Sequence, residues 1–338
     1  MTAVVPEDPT TEMSGWPQRL RDLVFSGKLT WVTLGAVIVA EFVIFSIAAP
    51  RFLSTTNLLN TGRATAVLMI VATGATFGLI SGALDISGAS VMALSGTIGT
   101  QIVIAGYPAS LAILAAIASG FGAGLVNGFV VVKLRVNPLV ATLGMLGIAL
   151  GLAFIVDGGS GIAGNLRQTT DGAYGVMKND LVGIPLPLVF AVLFAAAGWV
   201  LLAKTRFGLY AYAVGGNASA GRSVALPVDR LRMMYLVFSG ACAATGGWVL
   251  SSTLGGSGAA SVPGTLILTV VTAVILGGVG LMGGTGTMGG TILGVIVLGV
   301  LENGMTLAGW PTFYQYVVEG LLLLLAVGLE AVRTGGYR

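Results

Sequence analysis

Long stretches of this chain carry no charge at all, and their lengths set the architecture. Ala64 to Leu84, Ile86 to Val132, Val136 to Val156, Leu181 to Ala203 and Met233 to Leu301 contain no Lys, Arg, Asp or Glu. A membrane-crossing helix needs about 20 mainly apolar residues. Tyr107-Pro108 divides the second stretch in two, and glycine-rich breaks at Gly255–Gly264 and Gly283–Gly290 divide the last in three. With a first span near Trp31–Ala48 and a last near Thr312–Glu330, the pattern predicts an all-α integral membrane protein of about ten transmembrane helices.

Composition agrees with lipid as the main solvent. Hydrophobic residues make up 55% of the chain and charged residues 9%, against roughly 25% charged in an ordinary soluble protein. So few charges cannot clothe a soluble surface of this size. No run of Lys and Arg suggests a nucleic-acid partner. Residues 1–30 are polar and of mixed charge, without the short apolar core and small-residue cleavage site of a secretory signal, and read as a cytoplasmic tail.

The positions of the sixteen basic residues give the sidedness. Basic residues concentrate in cytoplasmic connectors. With ten spans and the N-terminus inside, the inner segments hold Arg19, Arg21, Lys28, Lys133, Arg135, Lys204, Arg206, Arg222, Arg230, Arg232, Arg333 and Arg338, and the outer ones Arg51, Arg63, Arg167 and Lys178. Both termini are therefore expected in the cytoplasm, with a transmembrane domain over 31–332 and a short tail over 333–338. Two connectors stand out: Asp157 to Pro185, polar and outside, and 204–232, inside and the most basic loop of the chain.

Glycine changes the picture next. Fifty-three glycines are about twice the usual share. Many recur every fourth residue: Gly74, Gly78 and Gly82; Gly120, Gly124 and Gly128; Gly286, Gly290 and Gly294. In lipid such faces let helix backbones pack closely. The clusters Gly82–Gly88 and Gly277–Gly290 instead suggest helices interrupted around a transport path, because freed backbone groups at membrane depth need protein or a cavity over them.

Candidate chemistry is sparse. The chain has no histidine, and its one cysteine, Cys242, lies within an apolar run. Gly283-Gly284-Thr285-Gly286 lacks the Lys-Ser/Thr and strand–loop–helix setting of a phosphate loop. No catalytic constellation, cofactor or metal set is predicted. Glu41, Asp85, Glu302 and Glu319 are the ionisable groups within the apolar region, where such groups suggest function. For Asp85 the local expectation is that it or Ser87 caps the following helix. Asn57, Asn60, Thr73, Thr76, Ser81, Asn127 and Thr142 could line a polar path or bond neighbouring helices. An ion-coupled secondary transporter stays open as an alternative, since interrupted helices can hold a coupling ion.

Four stretches resemble the permease subunits of bacterial ABC importers for sugars, the ribose/xylose/galactose type. They are Gly82-Ala83-Leu84-Asp85-Ile86-Ser87-Gly88-Ala89-Ser90, then Asn137-Pro138-Leu139-Val140-Ala141-Thr142-Leu143-Gly144-Met145, then Ala213 to Arg222 with Leu226-Pro227-Val228, and the run Ala273 to Gly304. The resemblance implies a translocation subunit of the inner membrane rather than an enzyme. It also implies an ABC ATPase partner, an extracytoplasmic sugar-binding protein and a second permease, as a homodimer or pseudo-dimer in membrane lipid. Carried over residue by residue, Gly216, Asn217, Ala220 and Arg222 are expected to engage the ATPase; the break at Gly82–Gly88 itself makes Gly82, Asp85 and Ser87 candidates for a hinge or part of the path. The chain departs from the family pattern at Gly221, where an alanine is usual, at Ala225 in place of a glycine, and at Ile267 and Thr269 in place of a glutamate and an aspartate.

Overall fold

The computed structural model describes residues 28–159 and 172–334. Most of the expected N-terminal tail, the last four residues and the middle of the long outer connector lie outside the described residues. Twelve α-helices follow in order: α1 (Lys28–Ala48), α2 (Thr55–Ile80), α3 (Gly88–Ile104), α4 (Ala109–Lys133), α5 (Pro138–Val156), α6 (Leu186–Lys204), α7 (Arg206–Gly216), α8 (Ala218–Ser223), α9 (Val228–Leu254), α10 (Leu266–Leu276), α11 (Met288–Leu307) and α12 (Thr312–Thr334). A two-stranded ribbon, Asp180–Leu181 against Ile184–Pro185, precedes α6.

Eight of these helices are long and apolar enough to cross a membrane, and α3 and α10 are shorter apolar helices. Together they account for the ten spans expected. At 1.5 Å per residue, α3 reaches only about 26 Å and α10 about 17 Å, short of the roughly 30 Å hydrocarbon layer. Each adjoins a turn that carries one of the two glycine clusters.

Helices α2 and α9 form the centre. From Thr65 to Ile80 every residue of α2 is buried, and α9 is buried along most of its membrane-crossing length. Small residues explain the close approach. A side chain on Gly120 would collide with the Gly240 carbonyl, one on Gly124 would reach 2.6 Å from the Leu236 oxygen, and one on Gly128 would meet Met233. The four-residue glycine face of α4 therefore lies directly on the α9 backbone. Gly74 of α2 faces Ser239 and Cys242 of α9. Gly290 and Gly294 bring α11 equally close to Gly277 and to the Ala273 carbonyl at the end of α10. Core hydroxyls are bonded locally or across helices: Thr76 to the Ala72 carbonyl at 2.7 Å and to Thr291 at 2.8 Å.

At the C-terminal end of α9, a 3-10 turn over Tyr174–Lys178 tucks against that helix. Tyr174 is 2% exposed. Its hydroxyl bonds Ser251 at 2.6 Å, and Ser252 donates to the Tyr174 carbonyl at 2.6 Å while accepting from the Met177 N–H at 3.1 Å. Gly99 of α3 leaves room for the ring. Asp157 accepts from the Ala259 N–H at 3.0 Å, and Thr100 from the Ser257 N–H at 3.1 Å, which fixes the segment after α9 to the ends of α5 and α3.

Candidate functional site

The most basic connector, 204–232, folds into two short helices, α7 and α8. Thr205 has extended backbone (φ −118°, ψ 161°), and its hydroxyl accepts from the Gly208 N–H, capping α7. A side chain on Gly208 would collide with the end of α6 at Leu202, so glycine sets the tight corner between them. Asn217, again extended, ends α7 and begins α8. Its Oδ1 accepts from the Ala220 N–H at 2.9 Å and the Ser219 hydroxyl at 2.7 Å, an N-cap of the usual chemistry. Gly221 is buried, and a methyl there would only touch Val228 at 3.4 Å, so the alanine usual in the resembling family would fit. Ala225, where that family has glycine, sits at φ +60°. This left-handed conformation costs an L-residue roughly 1–2 kcal/mol.

Behind α8, three turns interlock through glycine. The α10–α11 loop runs past the end of α2, and its Gly284 N–H donates to the Ile80 carbonyl at 2.7 Å. Gly215 of α7 lies at the same point: a side chain there would collide with the Ile80 oxygen and come within 2.7 Å of Gly284 N. A Cβ on Gly283 would meet both Gly82 and Gly215 at about 3.1 Å. Gly283 and Gly284 adopt φ +85° and +75°, which glycine reaches without penalty. Tyr212 of α7 adds a side-chain tie, donating to the Gly286 carbonyl at 2.8 Å. Burial pushes its phenol above the ordinary range, so it remains a donor.

Thus Gly82 and Gly216, assigned to different roles from sequence, occupy one junction with the 283–286 turn between them. Tyr212, Gly215 and Ile80 belong to it as well. Tyr212 carries no sequence signal of its own, whereas Gly215 stands beside Gly216 in the motif.

Asp85 and Ser87 are buried just beyond this junction. Neither caps α3 as expected. Ser87 is already helical (φ −77°, ψ −8°), so its side chain does not reach the next free N–H groups. Instead Asp85 Oδ1 accepts from the Ser87 N–H at 3.0 Å and hydroxyl at 2.6 Å, and Asn127 of α4 donates to the Ser87 oxygen at 3.1 Å. The pair stiffens the α2–α3 turn and ties it to α4. Asp85 Oδ2 is buried without a hydrogen-bond partner.

Arg222 donates to Asp229 at 3.1 Å, with both side chains more than half exposed. Such a pair is weak and easily exchanged for another partner. The polar residues weighed as path lining make bonds within the protein. Asn57 and Asn303 form a mutual amide pair at 2.9 and 3.0 Å, Thr73 bonds the Met69 carbonyl, and Thr142 the Pro138 carbonyl. Of the intramembrane carboxylates, Glu319 accepts from Thr269 at 3.1 Å, so one departure from the family pattern supplies a donor to α12. Glu41 is 8% exposed and its Oε2 has no partner. Among the described residues no group of His, Cys, Asp and Glu could hold a metal ion.

Residues 57–327 match the family described as branched-chain amino acid transport system / permease component. The chain is similar to the ribose import permease protein of Bacillus subtilis (strain 168), with 35% identity covering 85% of this chain and 88% of the relative. It is also similar to the L-arabinose transport system permease protein of Escherichia coli (strain K12), with 35% identity covering 90% and 92%. A third relative, the L-arabinose ABC transporter permease protein of Azospirillum brasilense, is 33% identical over 89% of this chain and 88% of its own length. No solved structure matches the chain.

Proposed function

The chain belongs to the branched-chain amino acid transport system / permease component family and is a multi-pass, non-catalytic translocation subunit; we propose that it imports a monosaccharide or related polyol, handed over by an extracytoplasmic binding protein and driven by a partner ATPase. The cargo class comes from relatives named for ribose and arabinose. The observation that carries the energy-coupling part is the glycine junction. Helix α8 sits on the inner side, and α7 behind it is packed backbone-to-backbone on the end of buried α2. A push on α8 therefore reaches the core without passing through flexible side chains.

In this reading Gly216, Asn217, Ala220 and Arg222 meet the ATPase. Asn217 holds α8 in shape, and Arg222 exchanges Asp229 for a carboxylate or carbonyl of the partner. Gly82 lets the α2–α3 turn follow, with Asp85 and Ser87 keeping that turn rigid. The path itself forms with a second permease, as a homodimer or pseudo-dimer in lipid. A crevice of about 480 Å³ between α2, α6 and α11, lined by Thr65, Met69, Leu188, Ala195, Trp199 and Ile296, is almost wholly apolar and does not suit sugar hydroxyls.

Two measurements test the proposal. Reconstituted with its ATPase and binding protein, the permease should take up cargo with ion gradients collapsed and ATP maintained; uptake that stops with the gradients favours ion coupling instead. Arg222→Glu should leave the protein inserted, because only an exposed ion pair is broken, yet abolish uptake and binding-protein-stimulated ATP hydrolysis. Normal stimulated hydrolysis in that variant would remove α8 from the mechanism. A thermal-shift screen of the binding protein against pentoses, hexoses and polyols identifies the cargo.

A further inference from the structure

The last helix, α12, is joined to the glycine junction through Glu330, a residue outside the four stretches above. Glu319 and Glu330 stand eleven residues apart on it, three turns of an α-helix and so on one face. Both face α10 and its following loop. Glu319 accepts from the Thr269 hydroxyl at 3.1 Å near the start of α10, and Glu330 Oε1 accepts from the Leu281 N–H at 2.8 Å just beyond its end. With eleven residues, α10 is the shortest apolar helix of the bundle, and α12 splints it at both ends.

We propose that Glu330 is a positioning residue for coupling: its carboxylate holds the α10–α11 loop in the shape that locks α7 to α2. Val279 is buried in the core and Leu281 packs against it; beyond these the loop has few other means of keeping that shape. Gly280, Gly283, Gly284 and Gly286 give it no side chains to pack, and its internal ties are Gly280 N–H to the Thr285 carbonyl at 3.2 Å and Gly283 N–H to the Gly280 carbonyl at 3.1 Å. Its external ties run to three different helices: Gly284 to Ile80 of α2, Gly286 to Tyr212 of α7, and Leu281 to Glu330 of α12. The Glu330 oxygen also lies 3.0 Å from where a Cβ on Gly280 would stand, so the carboxylate is seated against the loop backbone. Of the three ties it alone uses a carboxylate acceptor, and a charged partner makes a hydrogen bond about twice as strong as a neutral one. Removing it leaves a partly buried N–H unsatisfied and frees the loop whose Gly283 and Gly284 pack against Gly215 and Ile80.

This inference rests on the coupling role proposed for α7 and α8, and the test separates the two. Complexes with the ATPase and binding protein would be reconstituted with Glu330→Gln, Glu330→Ala and Glu330→Asp permeases, with Asn217→Ala alongside. Uptake and stimulated ATP hydrolysis would be read in the same vesicles, with amide exchange of the 277–287 peptide as a measure independent of activity. Glu330→Ala should lower uptake roughly tenfold and speed exchange of that peptide by a similar factor. Glu330→Gln, whose amide oxygen still accepts, should stay within about threefold of the native chain on both. Glu330→Asp, one methylene shorter, should fall between and covers the case in which the alanine variant does not insert. Native uptake and exchange in Glu330→Ala, or equal damage by Gln and Ala, overturns the proposal. If Asn217→Ala is silent as well, the coupling reading of α8 falls first; if Asn217→Ala is damaging while Glu330→Ala is silent, only the role of Glu330 falls.

Discussion

The two ends of the central helices are closed by different chemistry. At the outer end, side chains seal the structure: Tyr174 to Ser251, Ser252 to the backbone of Tyr174 and Met177, and Asp157 to Ala259. At the inner end, backbones touch where side chains are missing, with Gly215, Gly283 and Gly284 around the Ile80 carbonyl and Gly82. A hydroxyl bond can open and re-form with water, and its net worth is about 1 kcal/mol. A backbone-to-backbone contact has no adjustable part, so it transmits displacement and tolerates no added atom. On the proposed function, the closure at Tyr174 would be the one to open and the glycine junction the one to be pushed.

That difference predicts unequal responses to single substitutions. The largest belongs to Gly215→Val. Its side chain would run into the Ile80 carbonyl and Gly284, both backbone, and overpacking of this kind costs roughly 1–3 kcal/mol or more. Uptake should fall well over tenfold, and a native rate in inserted protein would show that the junction opens readily. Tyr174→Phe removes only the hydroxyl bonded to Ser251. Stability measured by thermal unfolding should drop by about 1 kcal/mol with uptake retained within a few-fold; a loss as severe as that of Gly215→Val would erase the distinction between the ends. The smallest effect should come from Ala225→Gly at φ +60°. Relief of the left-handed strain should stabilise the α8–α9 turn by up to about 1 kcal/mol, read as slower proteolysis of this exposed inner loop, with coupling unchanged.

The spans were legible because lipid demands a property that is additive along the chain: about 20 apolar residues with no charge. The glycine face of α4 was legible for a related reason, since a four-residue period states which side of a helix approaches another, though not that Gly240 of α9 would receive it. Asp85 and Ser87 were misjudged as caps because capping depends on the backbone angle at one residue, and Ser87 is helical rather than extended. The partners of Glu319 and Glu330 were out of reach. Each lies about fifty residues away in sequence, and nothing local in Thr269 or Leu281 announces a carboxylate across the interface. Tyr174 is a similar case, a single aromatic in a polar connector whose burial depends on Gly99, which belongs to another helix.

Helix α9 spans the distance between the two closures. It starts at Val228, directly after the turn that follows α8, and carries Ser251 and Ser252 near its far end. The rise from Val228 to Ser251 is about 35 Å. Close packing on α4 at Gly120, Gly124 and Gly128 braces it along this length. A rod of that length pivoting by about 5° at one end sweeps the other through about 3 Å. That is enough to carry Ser251 out of hydrogen-bonding range of Tyr174. Leverage alone, without any change in the shape of α9, would turn a small tilt at its Val228 end into an unlatched contact at its Ser251 end.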